Sequence, residues 1–216
     1  MVKKTMNHLL KFNKFQKYIL WDFETENVRL IGKNRPWQLG YVIAKGDEII
    51  KEKEEYIFWE DLNVSEGAAR VTRFNLFKYK EVAKFNKEIL EEFETYFYNP
   101  EYINIAHNSH NFDCFIHNIW RTELGFKSDY SYLNKTIDSN ALAKMIKLGI
   151  KQVDRQSWKQ EMFKFAEYVE KGLKSSIKVL CKEFDIDYNE ELAHSALYDA
   201  QKNLQIWNKL KTMIDI

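Results

Sequence analysis

Proline and glycine are scarce in this chain, at 2 and 7 of 216 residues. That leaves little material for a flexible linker and favours one domain. The only two cysteines, Cys114 and Cys181, are too few for a disulfide scaffold and lack metal-ligand spacing. They read as small hydrophobes in a reducing compartment. No apolar run approaches the roughly 18–20 residues of a membrane span. The first 17 residues carry Lys3, Lys4, Lys11, Lys14 and Lys17 but no apolar signal core, so neither a membrane partner nor secretion is expected, and a cytoplasmic protein is. An excess of one charge is missing as well: 33 Lys and Arg face 32 Asp and Glu, a net +1. This excludes the wholesale basic coat of an architectural nucleic-acid binder.

What the chain has in quantity is apolar and aromatic matter, 45% and 15% of residues, enough for a sizeable core. Its charge is uneven. Residues 1–17 hold five lysines and no acid, and residues 143–182 hold ten Lys and Arg against four acids. Such clusters serve either as solvated faces and a loose amino terminus or as a flank that tracks phosphates.

Local patterns predict an order of elements. Tyr18 to Glu24 is aromatic-rich and β-prone. Its alternation sets Leu20, Asp22 and Glu24 on one face and Ile19, Trp21 and Phe23 on the other. Gln38 to Lys45 and Glu48 to Trp59 read as strands joined by a Gly46-Asp47 hairpin, so the first three strands are antiparallel. Val82, Phe85, Ile89, Phe93 and Phe97 recur at helical spacing and predict one helix over about Lys80 to Tyr98. Then follow a strand over Tyr102 to Ala106, a polar bend from His107 to Asn111, and a helix to about Arg121. The strand-like Tyr132 to Ile137 leads into a helix over Asp138 to Leu148. Helices are expected at about 157–170 and 175–184, and a last one follows Ser195, which reads as its cap. Hairpin strands followed by helix–strand alternation indicate a mixed α/β sheet with helices packed on it.

Three acidic places stand out. Asp22 and Glu24 project together from a strand that Trp21 and Phe23 mark as buried. Buried carboxylates need compensation, and a hard divalent cation supplies it, unless the strand lies at an edge with both acids in water. Asp113 opens a helix just after a short strand, where ligand-facing residues collect in α/β sheets, although an acid there also suits the helix dipole. The polar strip His107 to Asn111 before it suits phosphate or sugar contacts. Its two histidines do not by themselves complete the ligand set of a zinc site, and zinc is not expected here. Asp199 falls in the first turns of the last helix, with His194 in the preceding loop. A histidine beside a metal-binding cluster can take a proton from water at neutral pH, though a lone one is usually structural.

In this order and context, Asp22, Glu24, Asp113, His194 and Asp199 resemble the DEDDh group of 3′→5′ exonucleases. Asp22-Phe23-Glu24-Thr25 is similar to the first motif of that family, and Pro36-x-Gln38-x-Gly40 to its following strand. Ala106-His107-Asn108 with Phe112-Asp113 resembles the second motif, and Thr136-Ile137-Asp138-Ser139 the strand-to-helix junction. His194-x4-Asp199-Ala200 resembles the third motif. Thr72-Arg73 departs from the His-Gly or Thr-Gly pair common in relatives, and residues 149–172 look like an added helical element that either packs on the core or stacks on substrate.

The resemblance implies a ribonuclease-H-like fold, with a five-stranded mixed sheet whose first three strands are antiparallel, flanked by helices. It implies a single exonuclease domain over 17–216 behind a basic segment, 1–16. Asp22, Glu24, Asp113 and Asp199 would hold two divalent metal ions, Mg²⁺ or Mn²⁺, with His194 as general base. Phe23, Thr25, Asn108 and Phe112 would contact substrate. The implied reaction is hydrolysis of single-stranded ends to 5′-mononucleotides, with DNA favoured over RNA as partner. Association with a polymerase, and a monomer or homodimer, are compatible with it. An RNA exonuclease of the same family, or an inactive nucleic-acid-binding or adaptor module, is the alternative.

Overall fold

The central strand of the sheet is β1 (Lys17–Thr25). Its alternating aromatic and aliphatic residues are buried on both faces, because helices cover both sides of the sheet. The computed structural model of this chain describes residues 9–216. β1 pairs antiparallel with β2 (Pro36–Lys45), which pairs antiparallel with β3 (Glu48–Phe58) through a turn at Gly46-Asp47. On its other edge β1 runs parallel to β5 (Tyr102–Ala106), and β5 runs parallel to β6 (Thr136–Asp138). The expected mixed sheet is present, with a sixth, two-residue strand, β4 (Lys84–Phe85), added parallel to β3.

Strand β4 also corrects an expected element. The single helix over Lys80 to Tyr98 is two, α2 (Leu76–Val82) and α3 (Asn86–Phe97), interrupted where residues 84–85 hydrogen-bond to the free edge of β3. Tyr79 secures the interruption: its hydroxyl donates to the Ile57 carbonyl and accepts from the Trp59 N–H. Val82 and Phe85 therefore face water, and only Ile89, Phe93 and Phe97 of the expected stripe are buried. A second correction lies before β6. Residues Ser131–Lys135 form a 3₁₀ turn and not a strand, and the Thr136 hydroxyl donates to the Tyr132 carbonyl.

Helices α3 and α4 (Asp113–Glu123) cover one sheet face, where Trp21, Phe23, Phe93, Phe97 and Trp120 form an aromatic core. The other face is covered by α5 (Ser139–Lys147), α6 (Trp158–Glu167), α7 (Ile177–Glu183) and α8 (Ala196–Met213), over Leu20, Val42 and Ile105. Asp22 and Glu24 share this second face with Leu20. Of the four aromatics of 149–172, Trp158 and Phe165 are buried here, Phe163 packs against the other core and Tyr168 is exposed; the Trp158 indole N–H donates to the Thr136 carbonyl at 2.7 Å. Of the basic segment 1–16, residues 1–8 lie outside the described residues. Leu10 is buried, and its N–H donates to the Ile216 carbonyl. No helix among the described residues is long and apolar enough to cross a membrane.

Candidate active site

β1 and β5 run parallel, so their carboxyl ends open on the same side of the sheet, the position where α/β folds gather ligand-binding groups. A cavity of about 530 Å³ lies there. All nine residues expected at the site line it: Asp22, Phe23, Glu24, Thr25, Asn108, Phe112, Asp113, His194 and Asp199. Each arrives from a different local device. Asp22 and Glu24 come from alternate positions of β1. Asp113 opens α4, where the backbone N–H groups of Phe23 and of Asp113 itself hydrogen-bond its carboxylate.

Asp199 comes from the first turn of α8, and β2 determines where that turn sits. Gly40, paired with Asp22 across the sheet, leaves room for the start of the helix: a Cβ there would lie 2.0 Å from the Leu197 nitrogen and 2.1 Å from the Ala196 carbonyl carbon. Gln38, paired with Glu24, accepts the Ala196 N–H at 3.2 Å. Ser195 occupies the cap position, but its hydroxyl donates to Glu54 instead of capping the helix as expected. His194, in a left-handed conformation (φ 62°), donates its backbone N–H to Asp199 Oδ2 at 3.2 Å.

The polar strip before Asp113 divides in two. His107 and Asn108 line the cavity, whereas Ser109 and His110 are buried. Sequence reasoning missed the organiser of this turn, Asp138. Its Oδ1 accepts the N–H groups of Asn108, Asn140 and Ala141, and its Oδ2 accepts that of His110. Burial pushes the Asp138 carboxyl up, but the neighbouring histidines, His110 above all, outweigh it and hold its pKa below the usual value. Burial lowers the His107 pKa to about 4. The ring is therefore neutral at pH 7. Its Nε2 lies 3.3 Å from the Asn140 amide nitrogen and its Nδ1 2.9 Å from the Ser139 hydroxyl.

Two expected contact residues have other partners too. The Thr25 hydroxyl donates to the Asn27 carbonyl at 2.7 Å, and Phe23 shows the cavity only 5% of its surface while its ring packs edge-on to Trp21 and Trp120.

The four carboxylates make the site electrostatically frustrated. Burial, then repulsion from one another, pushes Asp22 and Glu24 well above the usual carboxylate range. Burial raises Asp113 to about 7, helped by Asp138, and Asp199 to about 6. Asp199 Oδ1 is buried with no hydrogen-bond partner. Glu24, His194 and Asp199 each offer a ligand atom within 4.8 Å of the others. An orphaned carboxylate oxygen among mutually repelling acids fits a hard divalent cation, which prefers oxygen ligands. His194 is exposed at the mouth. The cavity walls still shield it from solvent, and this, with the Arg73 charge, lowers its pKa below 6.5.

The exonuclease family model RNase_T matches residues 19–207. No curated protein sequence matches the chain. Solved structures similar to it include Escherichia coli exonuclease I with single-stranded DNA in a zinc-bound form, at 15% identity and a TM-score of 0.71 over 91% of this chain and 41% of that one. The same enzyme with a dA16 oligonucleotide matches at 15% identity and 0.71, over 92% of this chain and 41% of that one. A product-bound exonuclease I matches at 14% identity and 0.69, over 92% and 44%. The chain thus spans about two fifths of the length of these proteins.

Proposed function

This chain belongs to the RNase_T exonuclease family, with the DEDDh type of site on a ribonuclease-H-like fold, and on that premise we propose that it removes 5′-mononucleotides from the 3′ ends of single-stranded DNA. The observation that carries this reading is the meeting of Asp22, Glu24, Asp113, Asp199 and His194 in one cavity. An adaptor has no use for four acids held together against their repulsion.

In this reading Asp22, Glu24, Asp113 and Asp199 hold two divalent cations, Mg²⁺ or Mn²⁺. Bound there, the cations supply Lewis acidity to the attacking water and to the departing 3′ oxygen. The chain's own residues do the rest. His194, neutral at pH 7, takes the water's proton at its imidazole nitrogen as the water attacks the last phosphodiester. Asn108 and the Phe112 edge border the terminal nucleotide, with the exposed edge of Phe23 beneath it. The Thr25 side chain, tied to Asn27, shapes the turn beside the 3′ end. The occupants of the E. coli exonuclease I complexes support single-stranded DNA as the substrate. The domain we infer runs over 17–216, with 149–172 an addition that buttresses the second motif: the Asn111 amide donates to the Ala166 carbonyl at 2.8 Å.

The test is a time course on 5′-labelled single-stranded, duplex and RNA oligonucleotides with Mg²⁺ or Mn²⁺. A ladder shortened from the 3′ end, fastest on single-stranded DNA and absent for a folded Asp22→Ala variant, is the expected result. Full activity in Asp22→Ala would remove the assigned site, and faster RNA cleavage would move the substrate to RNA.

A further inference from the structure

Helix α1 (Glu66–Thr72) forms one wall of the cavity through Ala68, Val71 and Thr72, and the turn that ends at His194 forms another. One side chain joins these walls. Arg73 closes α1 in a left-handed conformation (φ 54°), a backbone state unfavourable for any residue with a Cβ. Its guanidinium reaches across to the backbone of the other wall, where Nη2 donates to the Glu190 carbonyl at 2.9 Å and Nη1 donates to the Glu191 carbonyl.

The joined turn is the one that places the base. His194 is exposed at the mouth of the cavity, so the backbone that carries it bears on where its ring lies. That backbone runs through residues 190–194. From the opposite rim, Lys178 of α7 pairs with the Glu190 carboxylate at 2.7 Å, but both side chains are more than half exposed. Arg73 is exposed as well, so the difference lies in geometry: an ammonium on a flexible stem restrains little, whereas a planar guanidinium forked over two successive carbonyls restrains both position and direction.

We propose that Arg73 is a positioning residue for hydrolysis: by gripping the Glu190 and Glu191 carbonyls it holds the His194 turn against α1 and keeps the imidazole beside Glu24 and Asp199. The kinetic consequence rests on the exonuclease reading; the grip itself rests on geometry alone.

Two measurements on Arg73→Ala and Arg73→Lys separate these. In steady-state kinetics, Arg73→Ala lowers kcat about tenfold, because small displacements of a catalytic group are costly, and leaves KM for an oligonucleotide nearly unchanged. Guanidinium ion at non-denaturing concentration restores part of that kcat, and Arg73→Lys, unable to fork over two carbonyls, recovers little. In hydrogen exchange of the metal-free protein, the amides of 189–194 exchange faster in Arg73→Ala while those of α8 keep their protection. A raised KM with unchanged kcat would make Arg73 a substrate contact and overturn the proposal, as would unchanged exchange at 189–194. A wild-type protein without exonuclease activity would refute the functional reading alone, since exchange still reports the grip.

Discussion

Asp113 ionises only near pH 7 when no cation is bound, because burial and then the Asp138 charge oppose it. Its folded-state pKa lies above the unfolded value near 4, so between those limits the folded state binds more protons than the unfolded one. Stability of the metal-free protein therefore falls as pH rises across that window. Asp199, raised to about 6, adds to the same slope. We expect the melting temperature in a chelator to drop between pH 5 and pH 8 and Mg²⁺ or Mn²⁺ to restore it at pH 8. Asp113→Asn, which keeps the shape and removes the charge, should raise the metal-free melting temperature at pH 8, by about 2–4 °C per kcal/mol of repulsion relieved, while abolishing hydrolysis. A melting temperature that rises with pH in chelator would contradict this account.

His194 gives the kinetic counterpart. Its pKa is lowered, so the acid limb of kcat/KM should fall below pH 6.5, with activity lost as pH drops through it. His194→Gln should lose about 10²–10⁴-fold in rate and, with it, that limb of the profile.

Among the elements, the contact of β2 with α8 determines whether the carboxylates meet. Gly40→Ala drives a methyl group into the backbone of residues 196–197. The start of α8 must then shift, carrying Asp199 and the adjoining His194 turn with it. We expect a folded protein by circular dichroism, with at least about 10²-fold lower activity, as displacements near 1 Å produce. Wild-type rates in Gly40→Ala would show that the helix start tolerates movement.

Elements were legible in the sequence where local pattern and tertiary demand agree. β1 could be read, faces included, because alternation of Ile19, Trp21 and Phe23 with Leu20, Asp22 and Glu24 is a local property. The break between α2 and α3 could not, since Val82, Phe85 and Ile89 keep helical spacing through it. The deciding interaction is the pairing of Lys84 and Phe85 with Ile57 and Phe58, a long way off in sequence. Ser195 carries a genuine cap preference, yet Glu54 takes its hydroxyl and Gln38 meets the Ala196 N–H.

At the scale of the whole molecule, one sheet separates two cores, and the cavity opens where parallel and antiparallel halves meet at β1. The convergence of nine expected residues on that opening was legible because the motif order implied a topology. The supports were not: the four N–H groups accepted by Asp138 and the Arg73 fork depend on distances that no spacing encodes. The role of the 149–172 segment belongs to this scale as well. Trp158 is 4% exposed and bonded to Thr136, so Trp158→Ala should cost about 3–5 kcal/mol in urea unfolding with little change in KM. A raised KM at unchanged stability would favour substrate stacking.

The most direct measurement of the central claim is calorimetric titration of Mn²⁺ into the full chain and into Asp22→Ala. The account predicts saturable uptake by the wild-type protein at pH 7.5 that is abolished or strongly weakened in the variant. No uptake by the wild type, even with a single-stranded oligonucleotide present, or equal uptake by a folded Asp22→Ala protein, would contradict it.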